Sequence, residues 1–475
     1  MSQQTETVVP EKKTWSVGTL VYDRRALTIL FVLLLIGDLV WALRARTLGP
    51  IAQLLLKNHG SSDFFNALML SSIPTAMGMI MSPVIGYKSD RYRSKWGRRI
   101  PFIMVSTPIT FVGMIGMAAS KYLAGMVQTI FPSLTADMAA LWILSITWII
   151  FEVGVLVSSA VFNALINDVV PHSLLGRFFG LFRIVSLLVG AGFTYWFFGY
   201  AEAHHDVVFA IVAVVYAVGI TAMCIFVKEG EDPPVEQGGP GRRSNFAIAF
   251  EYLKKCSSSS FYWLMFSLII VMGFVWMPSG TFIALYAKKL GISMDYYGKI
   301  VSYSYMTSMI LAYPLGMWVD KFHPLRCCAV VTGIYTVMTF WAGFGVHDQT
   351  TFAIALYLQN IIAGAYWTVS SPLQMRLFPR SQFAQYGIVG GTLSSVLHIL
   401  AYPLLGKLLD ASGHKYEYAF FAASAIGSGS IFGCWQDFIH SIAVATHLSH
   451  AFLSRASANL SSRARSSGHN SIVNV

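Results

Sequence analysis

Three ionisable side chains, those of Asp38, Glu152 and Arg183, interrupt stretches of sequence that are otherwise apolar. If these stretches cross a membrane, each charge costs on the order of 3 kcal/mol at the bilayer centre. We therefore expect the three side chains to face the interior of a helix bundle or an aqueous cavity. The alternative for Glu152 and Arg183 is a structural ion pair. Arg44 and Arg46 lie near the predicted outer end of the first stretch, and we expect them to be anchors that reach the membrane surface, with ligand binding as the alternative.

Asp38 has the strongest claim to a chemical role, because Trp41 follows three residues later on the same helix face. A carboxylate accepts hydrogen bonds from two hydroxyl groups of a sugar, and an aromatic ring stacks on the apolar face of a pyranose. Removal of an acid from water also favours its protonated form, which suits proton binding. Asp38 and Trp41 are therefore predicted to bind a coupling ion and a sugar.

Further candidates lie in the second half of the chain. A polar and aromatic patch interrupts one apolar span and contains Gln359, Asn360, Tyr366 and Trp367. Amides in hydrocarbon need partners, either on other helices or in a substrate. His398 is predicted either to relay protons or to make a structural hydrogen bond. With the charged residues above, these side chains form the candidate site.

The composition is that of an integral membrane protein. Of 475 residues, 55% are hydrophobic and 12% are charged, whereas soluble domains carry about 25% charged residues. The net charge of +11 lies mostly in short loops, which excludes a nucleic-acid partner. The sequence lacks phosphate-binding and nucleophile-elbow motifs, and its five cysteines lack CxxC spacing. We therefore expect no enzyme activity, no cofactor, no disulfide framework and no metal site.

Apolar segments of bilayer length recur about twelve times, which predicts an all-α protein. The predicted spans are Leu27–Leu43, Phe65–Ile85, Phe102–Ala119, Ala139–Leu165, Leu181–Tyr200, Val207–Val227, Phe261–Tyr286, Ile300–Val319, Ala329–Val346, Phe352–Leu373, Gly387–Leu405 and Tyr418–Trp435. Basic residues concentrate in alternate loops, so both termini are predicted to be cytoplasmic, in a plasma (inner) membrane.

A polar segment rich in Pro and Gly divides these spans into two halves. We predict a cytoplasmic N-terminal segment at 1–25, a six-helix half at 26–227, a cytoplasmic linker at 228–260, a second six-helix half at 261–437, and a cytoplasmic, disordered tail at 438–475. The halves are predicted to be repeats, because the second span ends Pro83-x-x-Gly-x-x-x-Asp-Arg91 and the eighth ends Pro314-x-Gly-x-x-x-Asp-Lys321.

The loop after the second span is the most basic in the chain, and two interpretations are open for it. It sets topology, or it is a gate whose contacts form in the outward-open state and break in the inward-open state. The glycines would let helices approach closely, and the charges would bridge helix ends. The predicted gate residues are Gly86, Asp90, Arg91, Arg98 and Arg99, with Gly316, Asp320 and Lys321 as their counterparts.

Two six-helix halves, a central linker and the G-x-x-x-D-R loop resemble the major facilitator superfamily, over about Ala26 to Asp437. Within it, the loop Gly86–Phe102 and the pair Gly37-Asp38 are similar to those of the sugar-cation symporters, meaning the glycoside-pentoside-hexuronide family and the plant sucrose transporters. The resemblance implies that Arg183 lies near substrate. The melibiose permeases of that family use acids in the second span to bind the cation, and Phe65–Ile85 has none.

The predicted function is proton-coupled symport of a sugar or glycoside by alternating access. Sodium is the alternative coupling ion, with Asp38 and Glu152 as candidate proton carriers. The other open interpretations are a proton-coupled exporter of amphiphilic compounds and a non-transporting sensor on the same fold. We expect a monomer in a lipid bilayer with a small-molecule sugar as its partner.

Overall fold

A computed structural model of the chain describes residues 14–230, 260–322, 324–371, 373 and 383–430. Most of the predicted linker, the predicted tail and the end of the twelfth predicted span therefore lie outside the described residues. A short hairpin of β1 (Trp15–Val17) and β2 (Leu20–Tyr22) opens the described chain. Every longer element in the described residues is a helix.

The described first half contains eight α-helices. They are α1 (Arg24–Asn58), α2 (Asp63–Arg91, with a π-helical turn at Leu68–Ser72), α3 (Ile100–Ala118), α4 (Ser120–Ile130), α5 (Ala136–Val169), α6 (Leu175–Trp196), α7 (Phe198–Ala203) and α8 (His205–Phe226). Asp23, Ser62 and Thr135 begin α1, α2 and α5 as N-caps, since each side chain accepts a backbone N–H bond.

The described part of the second half is also helical. Its described helices are α9 (Ser260–Phe274), α10 (Met277–Lys289), α11 (Met294–Lys321), α12 (Pro324–Gly345), α13 (Gln349–Ser370), α14 (Phe383–Ala411) and α15 (417–430). The two proline-containing motifs occupy equivalent places, because α2 ends at Arg91 and α11 ends at Lys321. The motif therefore ends corresponding helices, as the predicted repeat requires.

Ten helical spans in the described part are long and apolar enough to cross a membrane, and one of them, Ile269–Lys289, joins the end of α9 to α10. Helix α11, at 28 residues, matches the eighth predicted span but is more polar. The twelfth predicted span begins within α15. Helix α4 was not predicted, and α1 is much longer than the predicted Leu27–Leu43, because its arginines are inside the protein and do not end it.

Small residues allow the helices to pack closely. A Cβ at Gly113 of α3 would lie 2.5 Å from the Phe151 backbone nitrogen of α5, and one at Gly154 would meet Thr110. Such contacts hold membrane helices together, because lipid gives no hydrophobic force between them.

The two halves make close contact at one end of the bundle. We call the end with residues 92–99 and 227–230 the linker end, and the opposite end, with residues 59–62, 290–293 and 412–416, the far end. At the far end the halves touch backbone to backbone, because a Cβ at Gly199 would lie 2.8 Å from Asp295 Cα and one at Gly298 would meet the Thr194 carbonyl. The far end is closed.

Candidate functional site

Asp38 lies in the wall of a small cavity of about 330 Å³ between α1, α5 and α6. The residue is 1% exposed, and its Oδ2 has no hydrogen-bond partner. Trp41 lines the same cavity and stacks on Phe162, with ring centroids 5.7 Å apart. The prediction that Asp38 and Trp41 share a helix face is confirmed. Ser159, Asn163 and Ser186 supply further polar groups to the cavity.

Arg44 is not a surface anchor, so that prediction was wrong. The residue is 4% exposed, and its guanidinium lies 4.4 Å from the centre of the Trp41 ring. The rings of Phe151 and Tyr216 lie 5.5 and 5.7 Å from the same group. Glu152 on α5 interacts with it electrostatically. The first half therefore holds a buried cation among aromatic rings.

Arg46 also points inward, against the prediction of a surface anchor. Its Nη1 donates a hydrogen bond to Tyr305 Oη on α11 at 2.7 Å, and its guanidinium lies 4.7 Å from that ring. Both arginines sit well inside α1, because the helix runs on to Asn58. The shorter predicted span had placed them at its outer end.

Glu152 and Arg183 do not form the ion pair considered as their alternative role. Arg183 Nη2 on α6 instead donates a hydrogen bond to Thr368 Oγ1 on α13 at 3.0 Å, and the charge that acts on Glu152 is that of Arg44. Arg183 thus joins the two halves. Neither Glu152 nor Arg183 lines the small cavity beside Asp38.

A second, larger cavity of about 960 Å³ lies between the halves. Its described lining contains no Asp, Glu, Lys or Arg, and it includes Trp148, Trp276 and Trp367. The indole N–H groups of Trp148 and Trp276, and Oδ1 of Asn66, are buried without a hydrogen-bond partner in this conformation.

The aromatic patch on α13 is divided between this cavity and the protein interior. Tyr366 and Trp367 line the large cavity, and the Tyr366 ring lies 5.0 Å from Trp276. Gln359 is buried with an unpartnered Oε1, and Asn360 Nδ2 is also unpartnered, but neither lines the cavity. The four residues therefore lie in one helix, as predicted, but only the two aromatic ones line the cavity.

His398 on α14 lines the large cavity. Its Nδ1 lies 2.7 Å from the Ser394 carbonyl oxygen, to which it donates as Nδ1–H. In the neutral ring this leaves Nε2 as an acceptor. Phe274 and Tyr402 flank the ring, with centroids at 5.1 and 5.6 Å.

The basic loop at the linker end forms an ion-pair cluster within the first half. Arg99 bonds Asp90 at 2.5 Å and Asp168, at the end of α5, at 3.1 Å. Arg98 also reaches Asp168, at 2.8 Å, and Arg99 donates to Ser89 Oγ at 2.6 Å. These charges bridge the ends of α2, α3 and α5. All of these partners belong to the first half, so the bonds do not join the two halves.

Glu229, just beyond α8, was missed as a partner of this loop. Its carboxylate accepts the backbone N–H groups of Arg98, Arg99 and Ile100 at 2.7 to 2.9 Å, where α3 begins. Burial raises the pKa of Glu229, the three backbone hydrogen bonds oppose that shift, and the Asp168 charge adds to it. Gly97, at φ +97°, leaves room for this side chain.

The remaining gate candidates make few contacts. Arg91 lies over the Tyr87 ring at 3.7 Å. A Cβ at Gly86 or Gly316 would meet nothing within 4 Å, so neither glycine permits a close helix contact in this conformation. No ion pair between described residues involves Asp320 or Lys321. Their gating role stays a prediction.

Two helical halves around internal cavities define the architecture of a membrane transporter. A sequence profile of the Major Facilitator Superfamily matches residues 30–385 and 264–436. The chain therefore belongs to the major facilitator superfamily, a family of transporters rather than enzymes.

Solved structures share this fold at low sequence identity. The xylose transporter XylE from E. coli, in an inward open conformation, aligns with a TM-score of 0.60 at 16% identity, over 86% of this chain and 96% of that one. The nucleoside transporter NupG aligns with a TM-score of 0.61 at 12% identity, over 86% of this chain and 98% of that one.

Curated relatives match over a shorter stretch. Sucrose transport protein SUT5 of Oryza sativa subsp. indica is 35% identical over 100 residues, which is 20% of this chain and 18% of that protein. Sucrose transport protein SUT1 of subsp. japonica is 36% identical over 75 residues, or 16% of this chain and 13% of that protein. The matched segment spans less than a fifth of each relative.

Proposed function

We propose that this transporter carries a sugar or glycoside together with protons, by alternating access of its two halves. In this proposal the linker end faces the cytoplasm, the membrane is the plasma (inner) membrane, and the protein works as a monomer without a cofactor. The closed far end then makes this an inward-facing state.

The observation that carries the proposal is the unpartnered carboxylate of Asp38. Asp38 is 1% exposed and its Oδ2 has no hydrogen bond, so the ionised carboxylate is costly to bury. Acids of this kind inside membrane spans are usually functional. Binding a proton removes that cost, and the small cavity gives water a place beside it. Among the described residues, no ion pair neutralises Asp38.

The large cavity supports a neutral, hydroxylated substrate. A cavity of about 960 Å³ lies within the usual range for ligand sites, about 300–1,000 Å³. Its described lining has no formal charge, so a strongly charged substrate would lack a counter-ion there. The faces of the indole rings that line the cavity suit the apolar faces of sugar rings. The local similarity to sucrose transport proteins points the same way.

Counterflow in proteoliposomes tests the proposal. After a screen of sugars and glycosides by thermal shift in detergent, labelled hits are exchanged across vesicles that contain the purified protein. Exchange of a neutral sugar supports the proposal. Flux of amphiphilic cations without sugar exchange would support the exporter instead, and no flux of either would support a sensor.

A further inference from the structure

The halves are joined at the far end by a group of polar residues, which we call the far-end latch: Lys57, Asp63, Asp410, His414 and Tyr416. The first two belong to the first half and the other three to the second. Nothing in the sequence pairs them, since Asp63 and Asp410 are 347 residues apart. The predicted second span begins just after Asp63, whereas α2 begins at Asp63 itself.

Asp63 is fully buried, and its carboxylate takes bonds from both halves. Lys57 Nζ donates to Oδ1 at 2.7 Å from the same half. Tyr416 Oη donates to Oδ1 at 3.2 Å and His414 Nδ1 donates to Oδ2 at 2.6 Å, both from the second half. A buried carboxylate that loses such donors incurs a large desolvation cost.

Asp410, in the second half, binds the backbone of the first half. Its two carboxylate oxygens accept the backbone N–H groups of Asp63 and Phe64, at 2.8 and 2.9 Å, at the first turn of α2. A helix of one half is thus capped by an acid of the other. The helices also touch directly, because a Cβ at Gly406 would lie 2.5 Å from the Asp63 carbonyl oxygen.

We propose that the far-end latch holds the far end shut, and that its release is required for the transporter to open there. The inference rests on the proposed function only in assuming that the far end opens during a cycle. Opening separates Asp63 from His414 and Tyr416, and Asp410 from the start of α2. The cluster stabilises one conformation, and Lys57, a cation within it, makes it a poor metal site.

A cysteine introduced at position 49 can report on opening of the far end. Gly49 lines the large cavity, and a Cβ there would meet nothing within 4 Å, so Gly49→Cys is accommodated. The five native cysteines are replaced by serine, and a membrane-impermeant maleimide is added from the far side of oriented vesicles. With the latch intact, we expect slow labelling from that side and faster labelling from the linker side.

Two variants release the latch. Asp410→Ala removes the cap across the halves, and His414→Asn removes a donor to Asp63 while tolerating the backbone φ of +60° at this position. Loss of one such interaction shifts a two-state equilibrium about five- to thirty-fold. We expect labelling from the far side to rise by that factor in each variant.

Matched controls come from the same end of the molecule. Asp348 caps α13 through the Thr351 N–H at 2.8 Å, wholly within the second half, so Asp348→Ala removes an acid cap without touching the latch. His347→Asn is the matched control for His414→Asn. Neither control should change labelling from the far side.

Unchanged labelling in the two latch variants overturns the proposal, as does an equal rise in Asp348→Ala. If Asp410→Ala does not give a monodisperse protein, His414→Asn decides alone, because its side chain is 45% exposed and its loss leaves no cavity in the core. The assay needs neither sugar nor proton gradient. Failed sugar counterflow with altered labelling would therefore reject the proposed substrate and leave the latch standing.

Discussion

Among the individual residues, Asp38 is the acid on which coupling should depend. Asp38→Asn keeps the shape of the side chain and removes the ability to bind and release a proton. We expect this variant to remain folded in the membrane, to exchange labelled sugar by counterflow, and to lose accumulation against a gradient. The measurement compares the final inside-to-outside ratio of labelled sugar in energised vesicles.

The control for this prediction is Asp137→Asn, the same change at an acid whose side chain is 72% exposed at the far end. It should accumulate sugar like the unaltered protein. Full accumulation by Asp38→Asn would assign Asp38 a structural role and make Glu152 the next candidate carrier.

Arg44 supports a prediction about stability. Arg44→Gln removes the buried cation whose charge acts on Glu152, so we expect a loss of about 2 kcal/mol of folding stability. Adding Glu152→Gln should restore part of that loss, because the unpaired charge is then gone. Unfolding in detergent measures the two single variants and the double variant.

Arg24→Gln is the control for this pair, since Arg24 is exposed on the same helix. It should cost little. If the double variant is as unstable as the sum of the two single ones, Arg44 and Glu152 do not interact energetically.

Among the helices and their connections, Glu229 ties the end of the first half to the start of α3. Burial raises the pKa of Glu229, so the folded protein holds this proton more tightly than the unfolded chain does. The unfolded chain has the usual Glu pKa of about 4.3. The contribution of protonated Glu229 to folding stability is complete below that pH and is lost as pH rises through the pKa of the folded state.

Glu229→Gln cannot titrate, so the comparison isolates this group. We expect the unfolding temperature of the unaltered protein, relative to that of Glu229→Gln, to fall as pH rises from about 4 to 7. Glu202→Gln, at the Lys288 pair of the far end, is the control. A relative stability that rises with pH would show that the backbone hydrogen bonds outweigh burial.

For the protein as a whole, the question is which gradient drives transport. We expect sugar uptake to fall as external pH rises and to collapse with a protonophore, because protons must occupy the carrier on the outside before the halves rock. Initial uptake rates at several external pH values, with and without an imposed sodium gradient, provide the measurement.

Uptake that depends on the sodium gradient and not on pH would identify sodium as the coupling ion. Uptake that ignores both would identify a uniporter. The acids of the second span that serve melibiose permeases are absent from Phe65–Ile85, and Asp63 at the far-end start of α2 is already bonded by Lys57, His414 and Tyr416.

Local sequence was enough to establish a helical membrane protein with two related halves. Span length and charge distribution are local properties, because a bilayer selects about 20 apolar residues wherever they occur. The same local logic placed Asp38 and Trp41 on one face of α1, since residues three apart share a helix face. It failed at Arg44 and Arg46, where two charges were interpreted as the end of a helix that continues to Asn58.

Only the tertiary structure determines which charged residues contact each other. Glu152 interacts electrostatically with Arg44 and forms no ion pair with Arg183, and Glu229 binds the start of α3, at residues 129 to 131 positions earlier in the chain. Asp63 and Asp410 meet across the halves at a separation of 347 residues. Periodicity says nothing about such pairs, because a buried charge takes whichever partner helix packing brings within reach, and that packing depends on every small residue along the contacting helices.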